Sequence, residues 1–109
     1  MSRYLLIETK SPLEGGVYAF DLGKQLRDER HDVTIYLLQD AVFAARRHFN
    51  RGEALLADAR RHDLRVLADE LSLRQRGVSG ERLSPDVHTS SMSDLVDLLM
   101  ERSDKAIWH

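Results

Sequence analysis

The sequence contains no cysteine. None of its 109 residues is one, so the chain forms no disulfide bond, binds no metal through a thiolate and carries no sulfur as a persulfide. The same absence leaves the redox compartment undetermined by cysteine usage. The function therefore depends on shape, charge, hydrogen bonding or partnership.

Long apolar runs and a large net charge are also absent. Apolar runs such as residues 4–7 and 35–38 are far too short to span a bilayer, and the first residues lack the apolar stretch of a secretory signal. The net charge is −2, with both signs interspersed, so no basic field exists to neutralise phosphates. We expect a cytoplasmic protein that binds neither a membrane nor nucleic acid directly.

The composition that remains is typical of a small folded domain. The chain is 42% hydrophobic and 31% charged, which is ordinary for globular proteins and argues against disorder. Its length is enough for one modest core, and it shows no internal repeat, low-complexity segment or linker. We therefore expect a single domain over residues 1–109.

Short apolar runs alternate with amphipathic segments along the chain. The pattern predicts strands at residues 4–8, 33–38, 64–68, 87–89 and 105–108, and helices at residues 17–29, 41–49, 53–61, 70–76 and from residue 92 onward. Asp40 and Ser91 are placed to cap two of the helices, and residues 50–52 are predicted to form a break. This alternation favours a three-layer α/β/α fold with a mainly parallel sheet of about five strands.

Candidate site residues follow from the strand ends, because ligands of open parallel sheets bind beyond the carboxyl ends of the strands. Candidates for acid–base or nucleophilic chemistry are Asp69, Ser72 and His88. Candidates for ligand contacts are Gln39, Asp40 and Glu70. For Asp69 a helix cap is the favoured interpretation over a general base. Ser72 has no evident base nearby in the sequence, and an ordinary hydrogen-bonded histidine is the commoner role for a residue like His88.

The remaining motifs are weak. The five histidines lack paired metal-ligand spacing, so we expect no metal site, and His109 is expected to be mobile. Gly15-Gly16 matches no phosphate-binding motif and predicts a turn, so no cofactor is expected. The pairs at residues 46–47 and 60–61 are predicted to lie on solvated helix faces, with an acidic partner or tRNA as the alternative. Trp108 is predicted to anchor the core or a subunit interface.

Three segments together resemble the DsrE/DsrF/DsrH sulfur-relay family, which includes the subunits of the TusBCD complex. They are residues 37–46 (LLQDAVFAAR), residues 64–78 (LRVLADELSLRQRGV) and the tail from residue 90, with Ser-Met before the last helix. Lys10-Ser11-Pro12, together with the second segment, is most similar to the DsrH/TusB branch. The resemblance spans nearly the whole chain and implies the DsrE-like α/β/α fold.

The resemblance also implies where sulfur chemistry would lie. The family's persulfide cysteine, in the branches that have one, aligns with Asp69, and a second cysteine of some members aligns with Ser72. Neither side chain can hold a persulfide, and the DsrH/TusB branch also lacks the first cysteine. The resemblance further implies oligomers, often hexamers of related subunits, and sulfur traffic toward tRNA thiolation or sulfur oxidation.

Three functions remain open from the sequence. The first is a non-catalytic subunit in a homo- or hetero-oligomer of DsrE-like chains, working with a sulfur-carrier protein and using an interface near Trp108 and the helix holding Phe43. The second is a stand-alone homo-oligomer that binds a small anionic or thiol ligand, or acts as a regulatory binding module, near Gln39, Asp69 and His88. The third is a hydrolase or similar enzyme using Asp69, Ser72 or His88. The lack of cysteine argues against sulfurtransferase chemistry.

Overall fold

All five strands of the sheet run parallel in the computed structural model, which describes residues 1–109. The order across the sheet is β4-β3-β2-β1-β5. The predicted three-layer α/β/α fold with about five strands is confirmed, and the sheet is wholly rather than mainly parallel. The strands are β1 (Arg3–Glu8), β2 (Asp32–Leu37), β3 (Arg65–Asp69), β4 (His88–Ser90) and β5 (Lys105–Trp108).

Helices cover the two faces of the sheet unequally. The four α-helices are α1 (Tyr18–Asp28), α2 (Asn50–Arg61), α3 (Glu70–Gln75) and α4 (Met92–Glu101), and 3₁₀ turns span Pro12–Glu14, Gln39–Ala45 and Gly80–Arg82. Residues from α1, α2 and α3 share the larger core cluster, of 19 residues, whereas α4 supplies Leu95 and Leu98 to a smaller cluster of seven. Only α4 therefore packs on the second face.

The alternation of side chains along the strands separates the two core clusters. Leu6 and Ile35 belong to the larger cluster, whereas Leu5, Ile7 and Tyr36 belong to the smaller one. Successive residues of a strand point to opposite faces, so these near-continuous apolar runs are those of a sheet buried on both sides. No helix of the chain is both long and apolar enough to cross a membrane.

The segment between β2 and α2 differs from the prediction. Residues 41–49 do not form an α-helix, because the chain makes the 3₁₀ turn Gln39–Ala45 and then becomes extended at Arg46. Left-handed backbone at Gln39 (φ 55°) and His48 (φ 69°) interrupts any continuous helix here. Asp40 is not a helix cap; its side chain instead accepts a hydrogen bond from Arg76 at 2.9 Å.

Residues 50–52 form the first turn of α2 and not a break. Position 52 requires glycine even inside the helix, because a Cβ at this position would overlap the backbone carbonyl of Ala44. The predicted cap of α4 is confirmed: Ser91 Oγ accepts from the Asp94 N–H at 3.1 Å, and the Asp94 carboxylate accepts from the Ser91 N–H at 3.3 Å. This reciprocal pair satisfies two backbone donors at the start of the helix.

Candidate functional site

At the carboxyl end of β3, three of the predicted residues meet in one hydrogen-bond network. Asp69 is the N-cap of α3, and its Oδ2 accepts from the Ser72 N–H at 2.9 Å and from Ser72 Oγ at 2.8 Å. Ser72 Oγ in turn accepts from the backbone N–H of Gln39 at 3.0 Å. Asp69 and Ser72 are 3% and 5% exposed, so these two side chains are shielded from solvent. We call the hydrogen-bonded group of Asp69, Ser72 and Gln39 the β3 network.

The hydroxyl of Ser72 has no histidine to activate it. It donates to a carboxylate that already caps a helix, and His88 takes no part in the network. His88 lies at the amino end of β4, in register with Leu67, whereas Ser90 is the residue in register with Asp69. The hydrogen bonds of Asp69 and Ser72 join the end of β3 to the first turn of α3, so they stabilise this strand–helix junction.

The two other acidic candidates face outward. Asp40 is bonded to the guanidinium of Arg76, which also donates to the Ser72 carbonyl at 3.4 Å. Glu70, the first residue of α3, is exposed. These side chains border the β3 network without entering it, and Arg76 ties the 3₁₀ turn after β2 to α3. The chain has no cluster of three or more His, Asp or Glu side chains suited to hold a metal ion.

Tyr36 is a polar residue beside this network that the sequence reading missed. It is fully buried in the smaller core cluster, and its hydroxyl donates to the Ser91 carbonyl at 2.9 Å. Burial raises the pKa of Tyr36 to about 12, and the nearby charges of Asp69 and Asp94 act in the same direction. The phenol therefore stays protonated at neutral pH and serves as a hydrogen-bond donor that links β2 to α4.

Glu8, at the end of β1, is the second polar residue that the sequence reading missed. Its side chain is fully buried, and its carboxylate accepts from the N–H groups of Thr9 (3.1 Å), Lys10 (3.2 Å) and Ala19 (3.2 Å). His109 Nδ1 lies 2.9 Å from both carboxylate oxygens. Only the glutamate's place after an apolar run hinted at this role, because its partners are distant in sequence.

The Glu8 carboxylate occupies the place where related folds bind an anion. In doubly wound sheets the N-terminus of the helix after β1 presents free N–H groups to a phosphate. Here Glu8 takes the Ala19 N–H in the first turn of α1, so the chain supplies its own anion. The predicted turn is present at Gly15, which has a φ of 98°.

His109 is held in place, contrary to the prediction that it is mobile. Its N–H donates to the Ile7 carbonyl at 2.8 Å, and its carbonyl accepts from both the N–H and the hydroxyl of Thr9 at 2.9 Å. Its ring also packs against Tyr18, with the ring centroids 4.4 Å apart. These contacts extend the pairing of β5 with β1 and hold the imidazole over the Glu8 carboxylate.

The architecture and the whole length of the chain match known proteins. The model of a family described as "DsrE/DsrF-like family" matches residues 3–108. The chain belongs to this family. Members of the DsrE/DsrF-like family often form oligomers. The family match does not separate the DsrH/TusB branch from the others.

Solved structures share the fold of this DsrE/DsrF-like chain. The ychN protein of E. coli has a TM-score of 0.88 at 19% identity, and MTH1491 of Methanobacterium thermoautotrophicum, a protein of unknown function, has 0.85 at 15% identity; in both cases all of each chain is covered. BT1422 of Bacteroides thetaiotaomicron, also of unknown function, has 0.75 at 10% identity, with 99% of this chain and 95% of that chain covered. No curated protein matches significantly in sequence. At these identities the structures establish the fold.

Proposed function

We propose that this protein is a cytoplasmic, non-catalytic subunit of a sulfur-relay assembly of DsrE-like chains, of the DsrH/TusB type. It holds no persulfide and works beside a cysteine-bearing relative. The observation that carries this proposal is the buried hydrogen bond between Asp69 and Ser72, at the positions where the family resemblance puts sulfur-carrying cysteines. Family membership supports the wider setting of sulfur relay.

A persulfide carrier needs an accessible thiolate, because the thiolate is the nucleophile that attacks the sulfur donor. At the end of β3 this chain has two oxygen-bearing side chains that are hydrogen-bonded to each other and shielded from solvent. Both contribute to the cap of α3. Asp69 and Ser72 therefore stabilise the junction of β3 and α3. A structural role at this position is consistent with a subunit that leaves sulfur transfer to its partner.

An exposed apolar surface on α4 supports assembly with another DsrE-like chain. Met92, Val96, Leu99 and Met100 recur at helical spacing and are between 42% and 74% exposed. Trp108 of β5, 62% exposed, is in register with Ile7 and so lies on the face of the sheet that α4 covers. We call these five residues the α4 surface. Large exposed apolar side chains that share one face of a domain mark protein interfaces.

Phe43 does not extend the α4 surface. It packs against the larger core cluster, on the opposite face of the sheet, and no α-helix holds it. The two residues that the sequence predicts at the interface therefore lie on opposite faces of the sheet. Trp108 lies on the same face as α4, and Phe43 does not. Exposed tryptophan and methionine side chains on one face are a composition typical of subunit contacts.

The proposal is tested by capturing the protein at native levels from its source cells, identifying the co-purifying chains by mass spectrometry and measuring the native mass. We expect stoichiometric recovery of a cysteine-bearing DsrE-like chain. The double variant Val96→Glu with Met100→Glu should lose that chain. The control Leu13→Glu, which changes an exposed apolar residue outside the α4 surface, should retain it. Recovery of the protein alone, as a homo-oligomer, would refute the subunit role.

A stand-alone homo-oligomer that binds a small ligand is the second candidate. A cationic surface cavity after β2 favours it, although the lining of this cavity includes none of the three residues near which the sequence predicts ligand binding, Gln39, Asp69 and His88. The two candidates differ in native composition: the first requires a related chain, the second only copies of this one. A ligand of the homo-oligomer would also raise its melting temperature.

A further inference from the structure

A surface cavity of about 420 Å³ lies beyond the carboxyl ends of β1 and β2. The loop after β1 forms one wall, and the segment between β2 and α2 forms the other. Its volume falls in the range of small-molecule sites. Its lining combines three apolar side chains, Leu13, Phe43 and Phe49, with three basic ones, Arg46, Arg47 and His48. We call it the β2 cavity.

The positive charge of the β2 cavity is not neutralised by the chain. No aspartate or glutamate lines it, and neither Arg46 nor Arg47 takes part in any of the chain's ion pairs. A second cavity, of about 380 Å³, shows the contrast. There Asp32 and Asp63 are part of the lining, and Arg27 is paired with both, at 3.4 Å and 2.9 Å. Two guanidinium groups that line one cavity without carboxylate partners favour an anionic ligand.

The backbone that carries these two arginines is held on both sides. The Arg47 N–H donates to the Arg82 carbonyl at 2.7 Å, and the Ser84 N–H donates to the Ala45 carbonyl at 2.8 Å. On the other side, Gly52 of α2 packs against the backbone of Ala44 more closely than a side chain would allow. The wall is therefore largely pre-formed, which lowers the ordering cost of binding.

His48 adds a backbone conformation that needs support. Its φ of 69° lies in the left-handed region, which costs a residue with a Cβ about 1–2 kcal/mol. Such strain persists where surrounding contacts hold it, and it is concentrated at binding sites. At this position it turns the chain between Arg47 and Phe49, so that basic and aromatic side chains line one cavity.

We propose that the β2 cavity binds a small organic anion, a carboxylate or phosphate ester that carries a flat apolar group. The planar guanidinium groups of Arg46 and Arg47 bind the anionic head, and the rings of Phe43 and Phe49 contact the apolar part. A small ligand fits better than RNA, because two arginines around one cavity in a chain of net charge −2 provide no extended phosphate track. The inference does not depend on the subunit role, since the cavity shares no residue with the β3 network or the α4 surface.

The probe for this site is naphthyl phosphate, titrated into the isotope-labelled full chain and followed by amide chemical shifts. We expect saturable shifts at residues 43–49 and Leu13. Inorganic phosphate and naphthol, the two halves of the probe, should each bind at least about tenfold more weakly, because each makes only one class of contact.

Two double variants with the same charge change separate the cavity from general electrostatics. Arg46→Gln with Arg47→Gln should weaken probe binding at least about tenfold, whereas Arg60→Gln with Arg61→Gln should change it less than about twofold. Arg60 and Arg61 are already paired with Asp86 and Asp58. The proposal would be overturned if both double variants bound the probe equally well or if binding did not saturate. It would also be overturned if the chemical-shift changes were confined to the α4 surface, or if the protein preferred RNA to the probe.

Discussion

The polar groups beyond the strand ends of this protein are of two kinds. Glu8 and Asp69, the last residues of β1 and β3, are buried and bonded to backbone N–H groups, whereas Arg46 and Arg47 after β2 are exposed and unpaired. The two carboxylates satisfy donors at helix N-termini and so stabilise the fold. The side chains of the two arginines form no ion pair within the chain. Within one edge of the sheet, the acidic residues are structural and the basic ones are available to a ligand.

Removing the Glu8 carboxylate should give the largest effect. Glu8→Ala leaves the buried N–H groups of Thr9, Lys10 and Ala19 without an acceptor and takes away the partner of His109. We expect the free energy of unfolding to fall by about 3–5 kcal/mol. Urea unfolding at neutral pH measures this change in the free energy of unfolding. If Glu8→Ala does not fold, Glu8→Gln provides a milder variant.

The matching change on the other side of the comparison is Arg46→Gln with Arg47→Gln. Because these side chains are exposed and unpaired, the same measurement should change by less than about 0.5 kcal/mol. A comparable loss of stability in this double variant would erase the distinction between structural and available groups. So would a loss below about 1 kcal/mol for Glu8→Ala, since water would then be reaching the Glu8 site.

Tyr36 tests how well the β3 network is closed. Because its pKa is raised from 10.0 to about 12 in the folded protein, the unfolded chain loses the phenolic proton first as the pH rises. The stabilisation is complete below about pH 10 and is lost between about pH 10 and pH 12. Between about pH 9 and pH 11.5, the free energy of unfolding of the unaltered protein should fall about 2 kcal/mol further than that of Tyr36→Phe.

The comparison with Tyr36→Phe removes the contribution of other groups that titrate at alkaline pH. A hydrogen bond to Asp58 raises the pKa of Lys24, so Lys24 also contributes a loss of stability at high pH. That contribution is present in both proteins and cancels in the difference. Identical pH profiles for the unaltered protein and Tyr36→Phe would mean that the phenol is solvated and that the junction of β2, β3 and α4 is open.

Single thiols probe the smallest expected difference, which is one of access and not of stability. The chain has no cysteine, so Asp69→Cys and Leu71→Cys each introduce one thiol within two residues of each other. Position 69 is 3% exposed and position 71 is 51% exposed. We expect an aromatic disulfide reagent to react at least about tenfold faster at position 71. Equal rates would show that the end of β3 is accessible and would weaken the non-catalytic assignment.

Local patterns accounted for most of the fold. Apolar runs placed all five strands to within about two residues, and Ser91 followed by Asp94 identified the cap of α4. Local patterns failed between residues 39 and 52, where the amphipathic run around Phe43 has the composition of a helix. The left-handed residues Gln39 and His48 and the close approach of Gly52 to Ala44 decide that segment, and each depends on packing between elements.

The candidate site was predictable only in part, for the same reason. Asp69 and Ser72 are three residues apart, which is the spacing of a helix N-cap and the backbone N–H that it accepts from, so a sequence pattern can identify their contact. The contact of Gln39 with Ser72 joins residues 33 apart, and that of Glu8 with His109 joins residues 101 apart. The sequence predicts that His88 lies near Asp69, because both are close to strand ends, but the register of β4 places Ser90 beside Asp69.

By itself the sequence determined the α/β alternation, the family resemblance and the impossibility of persulfide chemistry, because periodicity, motif order and the absence of a thiol are all properties of the chain alone. Only the tertiary structure decided which polar side chains are buried in hydrogen bonds within the chain and which are exposed and unpaired. Burial and hydrogen-bond partners depend on contacts between distant residues. Such contacts withdraw Glu8 and Asp69 from solvent and leave Arg46 and Arg47 exposed beside Phe43 and Phe49.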